Sequence, residues 1–226
     1  MRLNAYLARA GVASRRGADK LIKEGRVKVN GRVGQLNSEV SPEDKVELNG
    51  RPVRVQELRY ILMNKPPRIV TSLKDPEGRP VITDLLDIKE RVVPVGRLDV
   101  NTTGAILLTN DGELANKLMH PKYKVNKVYE AEVKGLVTNE ILNKLSNGVI
   151  LEDGKTAPAK TRKLTNDRVE ITIHEGRNHQ VKRMLAAVGL QVLRLHRRKY
   201  GPLELHGLKI GQWRELTPAE VKQLQS

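Results

Sequence analysis

The chain opens with two short helical patterns. Leu3, Leu7 and Ala10 recur at helical spacing until Gly11 interrupts them. Ser14 then stands where a cap is needed for a second helix running to Glu24, with Ala18, Leu21 and Ile22 on its inner side and Gly25 ending it. Val27 and Val29 alternate with Arg26 and Lys28, and Asn30-Gly31 is the dipeptide that two-residue hairpins prefer. Glu57-Leu58-Arg59 reads as a linker, followed by a strand over 60–65 that Pro66-Pro67 stops. Beyond it strands and helices alternate. Strands are predicted over 92–95, 105–109, 127–133 and 169–173, and helices over 112–119, 138–147 and 178–188. Asn110 to Glu113 has the spacing of a capping box for the first of these helices. A last helix follows Thr217-Pro218-Ala219-Glu220, a capping box with proline at the first helical position. The pattern describes an α+β chain: a small domain of two helices plus a hairpin over residues 1–57, then a larger domain built on a mixed sheet over 58–226.

Composition narrows the partner. The 226 residues carry a formal net charge of +15, and a pI near 10.1 gives a field that attracts polyanions. No apolar run is long enough to span a bilayer, no signal peptide precedes the first helix, and no amphipathic basic helix with bulky anchors suggests a membrane surface. Cysteine is absent, which excludes disulfides and thiolate metal sites and agrees with a cytoplasmic protein. The charge is uneven. Residues 1–32 hold nine Lys and Arg against Asp19 and Glu24, with Arg15, Arg16, Lys20 and Lys23 on the outer side of the second helix and Arg26 and Lys28 on the hairpin. A second block over 177–203 contains Arg177, Lys182, Arg183, Arg194, Arg197, Arg198 and Lys199 and no acid. Two basic blocks suggest two grips on one nucleic acid, by phosphate contacts that position without selecting bases.

Two segments carry candidate chemistry. Gly96-Arg97-Leu98-Asp99-Val100-Asn101-Thr102 puts an arginine and a carboxylate two positions apart in a turn backed by an apolar strand, an arrangement that can hold out a reactive group. On turn chemistry alone Asp99 reads as a turn former. In the segment 175–185, Val181, Met184 and Leu185 make a core stripe with Lys182 at its edge. Arg177, Asn178 and Gln180 crowd a helix N-terminus that favours an anion. His174 and His179 have no third partner at ligand spacing, so no metal site is expected.

These segments resemble known families. Leu3, Gly11, Ser14-Arg15-Arg16, Ala18, Leu21-Ile22, Gly25, Val27 and Val29-Asn30-Gly31 resemble the S4-type RNA-binding domain. The Gly96–Asp99 turn, Thr103-Gly104, Leu107-Leu108-Thr109-Asn110-Asp111-Gly112-Glu113, Lys127-Val128-Tyr129 and Glu175-Gly176-Arg177-Asn178 resemble the pseudouridine synthase signature of the RsuA/RluB type. Asn101 departs from it where an Asp is frequent, and His179 and Lys182 stand where many members carry Arg. The resemblance implies a mainly antiparallel sheet and the isomerisation of one uridine in ribosomal RNA, without cofactor or metal. Asp99 would be the nucleophile, Lys182 its cation, and Tyr129 a neighbour of the target base. Arg97, Arg177 and Arg183 would be phosphate clamps, with Asn178 and Gln180 beside them on the RNA. The expected partner is ribosomal RNA or an assembly intermediate, with the large subunit favoured, no membrane, and the chain a monomer. The alternative is a non-catalytic RNA-binding assembly factor or chaperone in which Asp99 does nothing.

Overall fold

The computed structural model describes all 226 residues, which fall into two compact units. The first comprises Met1–Arg59, Ile88–Val92 and Asn110–Gly112, and the second the remainder.

In the first unit, helices α1 (Leu3–Arg9) and α2 (Arg15–Lys23) precede four short strands. These are β1 (Val27–Val29), β2 (Arg32–Val33), β3 (Val46–Leu48) and β4 (Arg51–Pro52), in the order β2-β1-β3-β4. Leu3, Leu7, Ala18, Ile22, Val27, Val40 and Val46 form its core. Ser14 Oγ accepts from Gly17 N at 3.1 Å and so caps α2 as the sequence predicts. Asn30 and Gly31 both have positive φ, the backbone that a tight hairpin requires. Asn49-Gly50 repeats the device between β3 and β4, a hairpin the sequence analysis passes over. Arg15, Arg16, Lys20, Lys23, Arg26 and Lys28 are all exposed. The segment expected to be a linker is tied down: Arg59 N donates to Asn110 Oδ1 at 2.8 Å, and Asn110 Nδ2 donates to Glu57 O at 2.7 Å. Asn110 therefore anchors this segment and stands two residues before the helix it was expected to cap, which begins at Gly112.

The second unit is built on a nine-stranded sheet. Its strands are β5 (Tyr60–Lys65), β6 (Val93–Pro94), β7 (Thr103–Thr109), β8 (Lys127–Lys134), β11 (Lys160–Lys163), β12 (Arg168–Ile173), β13 (Gln191–Tyr200), β14 (Leu203–Glu204) and β15 (Trp213–Glu215). A separate hairpin pairs β9 (Ile150–Leu151) with β10 (Gly154–Lys155). The main order is β11-β12-β8-β13-β7-β5-β15, and only β13 with β7 is parallel, so the sheet is mixed and mainly antiparallel as expected. Helices α3 (Gly112–Met119), α4 (Asn139–Ser146), α5 (Gln180–Ala187) and α6 (Pro218–Gln225) complete it. Leu114, Ala115 and Leu118 of α3 and Leu224 of α6 pack with Leu62, Ala105, Leu107, Tyr200 and Leu203 of the sheet.

Strand β13 escapes the sequence analysis because its arginines read as a surface block, yet Leu195, Arg197 and Tyr200 are buried. Its parallel contact with β7 depends on Gly104: a Cβ there would lie 2.2 Å from the Arg197 carbonyl oxygen. This pairing aligns Lys65, Gly104, Arg197 and Tyr129 in one row across four strands.

Candidate active site

The turn between β6 and β7 is held from below. Gly96 takes a left-handed φ of 76°, and Leu98 is buried. Thr71 Oγ1 donates to Leu98 O at 2.8 Å and accepts from Leu98 N at 3.3 Å, replacing a strand partner. Lys65, fully buried at the end of β5, donates from Nζ to the carbonyls of Pro66, Asp99, Val100 and Thr102 at 3.0–3.2 Å. One buried ammonium thus fixes the backbone at and just after Asp99, while Thr71 holds the residue before it. Burial pushes the Lys65 ammonium down to about 8; Asp99 opposes that shift, and Arg197 and Lys182 reinforce it.

The Asp99 side chain emerges from this frame with 28% of its surface exposed. Lys182 Nζ lies 2.7 Å from Oδ2, Thr102 Oγ1 donates to Oδ2 at 3.3 Å, and His179 Nε2 is 3.4 Å from Oδ1. Two groups on or beside α5 therefore face one carboxylate. His179 reaches it because its left-handed backbone, φ 47°, starts the helix at Gln180 instead of at 178. Tyr129 is buried in the same row of the sheet as Lys65, with Arg197 Nη1 3.5 Å from its hydroxyl and the guanidinium carbon 6.0 Å from its ring centre. Arg197 also donates from Nε to Ala105 O at 2.7 Å, and its guanidinium carbon lies 5.0 Å from the Tyr200 ring centre.

The structure brings Asp99 and Lys182 together as the sequence motifs imply and changes the picture of their neighbours. Gln180 is buried, and its amide makes two internal bonds that brace the loop before α5: Oε1 accepts from Arg177 N at 3.0 Å and Nε2 donates to Glu175 Oε2 at 2.7 Å. Arg177 donates to the carbonyls of Asp153, Gly154 and Lys155 and pairs with Glu175 and Asp153, which occupy the fork a phosphate would need. Arg183 binds both carboxylate oxygens of Asp153 at 2.9–3.0 Å and the Asn178 carbonyl. The anions at this cluster are the chain's own Glu175 and Asp153. Burial pushes the Glu175 carboxyl up, but hydrogen bonds from Ala157 N and Gln180 and the charge of Arg177 more than offset it, so its pKa is lowered.

Other members of the second basic block are paired with acids outside it, Arg198 with Glu130 and Glu170 and Lys199 with Glu204. Asn178 and Arg97 remain exposed, and Arg97 has no carboxylate partner. Sequence reasoning missed Lys65, Thr71 and the inward role of Arg197. A lysine in the otherwise apolar run Tyr60-Ile61-Leu62-Met63-Asn64-Lys65 was the available signal for the first. No cluster of metal-ligating side chains exists.

A mixed sheet whose β6–β7 turn presents one carboxylate against a lysine, with a buried tyrosine and arginine paired on the neighbouring strands, has the layout of an enzyme site. The family model for RNA pseudouridylate synthase matches residues 59–187, and that for the S4 domain matches residues 1–46. The chain belongs to the RNA pseudouridylate synthase family and carries an S4 domain at its N-terminal end; the non-catalytic alternative falls away. The ribosomal large subunit pseudouridine synthase B of Bacillus subtilis (strain 168) is 51% identical over 100% of this chain and 96% of its own length. An uncharacterized RNA pseudouridine synthase of Aquifex aeolicus (strain VF5) is 52% identical over 99% and 93%. A crystal structure described as a pseudouridylate synthase superposes with a TM-score of 0.73 at 34% identity, covering 99% of each chain.

Proposed function

We propose that this pseudouridine synthase isomerises one uridine of ribosomal RNA, in the large subunit, with Asp99 as its nucleophile. The observation that carries this reading is the Asp99 carboxylate held against Lys182 Nζ at 2.7 Å, on a turn whose carbonyls a buried lysine grips. The bond between N1 of uracil and C1′ of the ribose breaks, the base turns, C5 bonds to C1′, the C5 proton leaves to solvent, and N1 takes up a proton in its place. Atoms and electrons are conserved, so the reaction calls for no redox cofactor. A carboxylate serves this sequence either by adding to C6 of the base or by taking C1′ of the sugar, and both routes need it unprotonated and in contact. Lys182 supplies the facing positive charge and holds the carboxylate in place. Tyr129 stacks beside the extruded base and helps pass the C5 proton to solvent. Extrusion of the uridine costs a few kcal/mol, offset by phosphate contacts from Arg97 and the N-terminal basic face. The large-subunit target is supported by the name of the Bacillus relative. The division of labour follows domains of 1–57 for RNA capture and 58–226 for chemistry, in a cytoplasmic monomer.

The test is tritium release from ribosomal RNA labelled at C5 of uridine, with pseudouridine mapped in the product. Release from large-subunit RNA is the expected result; release from neither ribosomal RNA overturns the proposal.

Two further results are expected. Lys182→Arg retains the rate within about tenfold because the charge stays, whereas Lys182→Met loses about 100-fold, measured as the single-turnover rate at saturating RNA. Replacing Arg15, Arg16, Lys20 and Lys23 together by alanine lowers the slope of log affinity against log salt by about 3, at about 0.7–0.9 per lost phosphate contact. An unchanged slope would remove α2 from the RNA interface.

A further inference from the structure

The chain has five tyrosines and one tryptophan, and Tyr123 alone among these six aromatic side chains is exposed, at 49%. It sits on the turn between α3 and β8, in a 3-10 segment Pro121–Tyr123 closed by Lys124 in a left-handed conformation of φ 46°. His120 Nδ1 accepts from Lys122 N at 3.2 Å, and the His120 ring stands edge-on to the tyrosine, with centres 6.3 Å apart. The Lys117 ammonium lies 5.7 Å from the tyrosine ring centre. Residues 114–129 contain Lys117, Lys122, Lys124 and Lys127 and no carboxylate. Lys122 and Lys124 are exposed and have no acidic partner, in contrast to Arg177, Arg183 and Arg198, which carboxylates of the chain itself neutralise. The turn leads directly into β8. Lys127, three residues on, donates from Nζ to the carbonyls of His174 and Glu175, the loop that leads to His179.

An exposed ring held by its neighbours, flanked by unpaired lysines and free of acids, has the chemistry of a stacking contact for single-stranded nucleic acid. From this we infer that Tyr123 stacks on an unpaired RNA nucleotide flanking the target, with Lys122 and Lys124 on the adjoining phosphates. The inference rests on the RNA substrate proposed above and adds a contact within the catalytic unit to the one expected from α2. Stacking on one ring discriminates little between bases, so this contact holds the strand beside the site and leaves the choice of uridine to other groups.

The probe is a pair of 4-thiouridine-substituted transcripts of the two ribosomal RNAs of the source organism, irradiated with the full chain. Digestion and mass spectrometry are expected to place an adduct on Tyr123. On the same RNA, Tyr123→Ala is expected to raise the half-saturating concentration about tenfold, with the loss in kcat/KM residing in that concentration, whereas Tyr123→Trp stays near the parent. Lys122→Ala with Lys124→Ala lowers the salt slope by about 1.4. Adducts confined to residues 15–28, or a Tyr123→Ala chain that binds as the parent does, overturn the inference. So does a Tyr123→Trp chain as weak as Tyr123→Ala, since that marks a structural role. A Tyr123→Ala chain that binds RNA normally but no longer associates with ribosome assembly particles also overturns it, in favour of a protein partner. If the Tyr123 adduct forms while neither RNA releases tritium, the proposed reaction fails and the RNA surface stands.

Discussion

Asp99→Asn should abolish pseudouridine formation, lowering the single-turnover rate by at least about 10⁴-fold, the scale on which removal of an enzyme's nucleophile is felt. The amide has nearly the shape of the carboxylate and can still accept from Thr102 Oγ1, so the turn held by Lys65 and Thr71 keeps its backbone. What disappears is the charge that faces Lys182 and the atom that can form a bond. RNA affinity should not fall with the rate. Removing a negative charge from a site that also contains Lys65, Lys182 and Arg197 leaves a more cathodic surface for phosphate, so the dissociation constant should stay within about threefold of the parent or tighten. Filter binding alongside tritium release separates the two quantities. A variant that keeps a tenth of the parent rate would remove Asp99 from the covalent step, and one that loses rate and affinity together would mean that the substitution disturbed the fold.

Much of this site was legible in the residues before any coordinates. Asp99, Lys182 and Tyr129 stand in local patterns, a turn, a helix edge and an alternating strand, whose side-chain directions follow from periodicity. The differences have separate causes, and none leaves a local mark in the sequence. Arg177 and Arg183 looked free because their acids, Asp153 and Glu175, lie on the β9–β10 hairpin and the loop before α5. Gln180 looked exposed at a helix start because nothing local announced that His179 would turn left-handed and move the first helical residue inward. Arg197 read as surface because an arginine in a basic run usually is. Only the parallel pairing of β13 with β7 at Gly104 places it in the interior, and pairing between segments 93 residues apart has no local signature.

Lys65→Met should separate stability from catalysis at this site, because two terms of similar size oppose each other in the first and not in the second. The methionine matches the buried stem and removes an ammonium that donates to four carbonyls. Breaking such a buried set costs about 3–5 kcal/mol. Against that, the charge itself is held at a loss: its pKa of about 8 lies below the ordinary lysine value of 10.5, a difference worth roughly 3 kcal/mol. The net change in stability at pH 7 should therefore be a destabilisation of no more than about 2 kcal/mol. The rate has no such compensation. A turn freed from four anchors lets Asp99 drift on the 1 Å scale that costs about 100-fold, and the single-turnover rate should fall by at least that much.

The pH dependence follows with opposite signs. Below about pH 8 the lysine is charged in both folded and unfolded chains, and the folded chain bears the whole cost. Between about 8 and 10.5 the folded chain has shed a proton that the unfolded chain keeps, so the lysine's contribution to stability rises with pH. Over the same window the ammonium that orders the turn is lost, and kcat/KM should descend through an apparent pKa near 8. Lys127, also pushed down to about 8 by burial and by Arg197, adds a parallel stability trend in both chains and cancels in their difference. The parent should accordingly gain stability relative to Lys65→Met between pH 8 and 10 while losing activity. Parallel melting curves for the two chains across that range would show that Lys65 does not titrate there, and a parent rate that stays flat to pH 10 would show that its charge does not hold the turn.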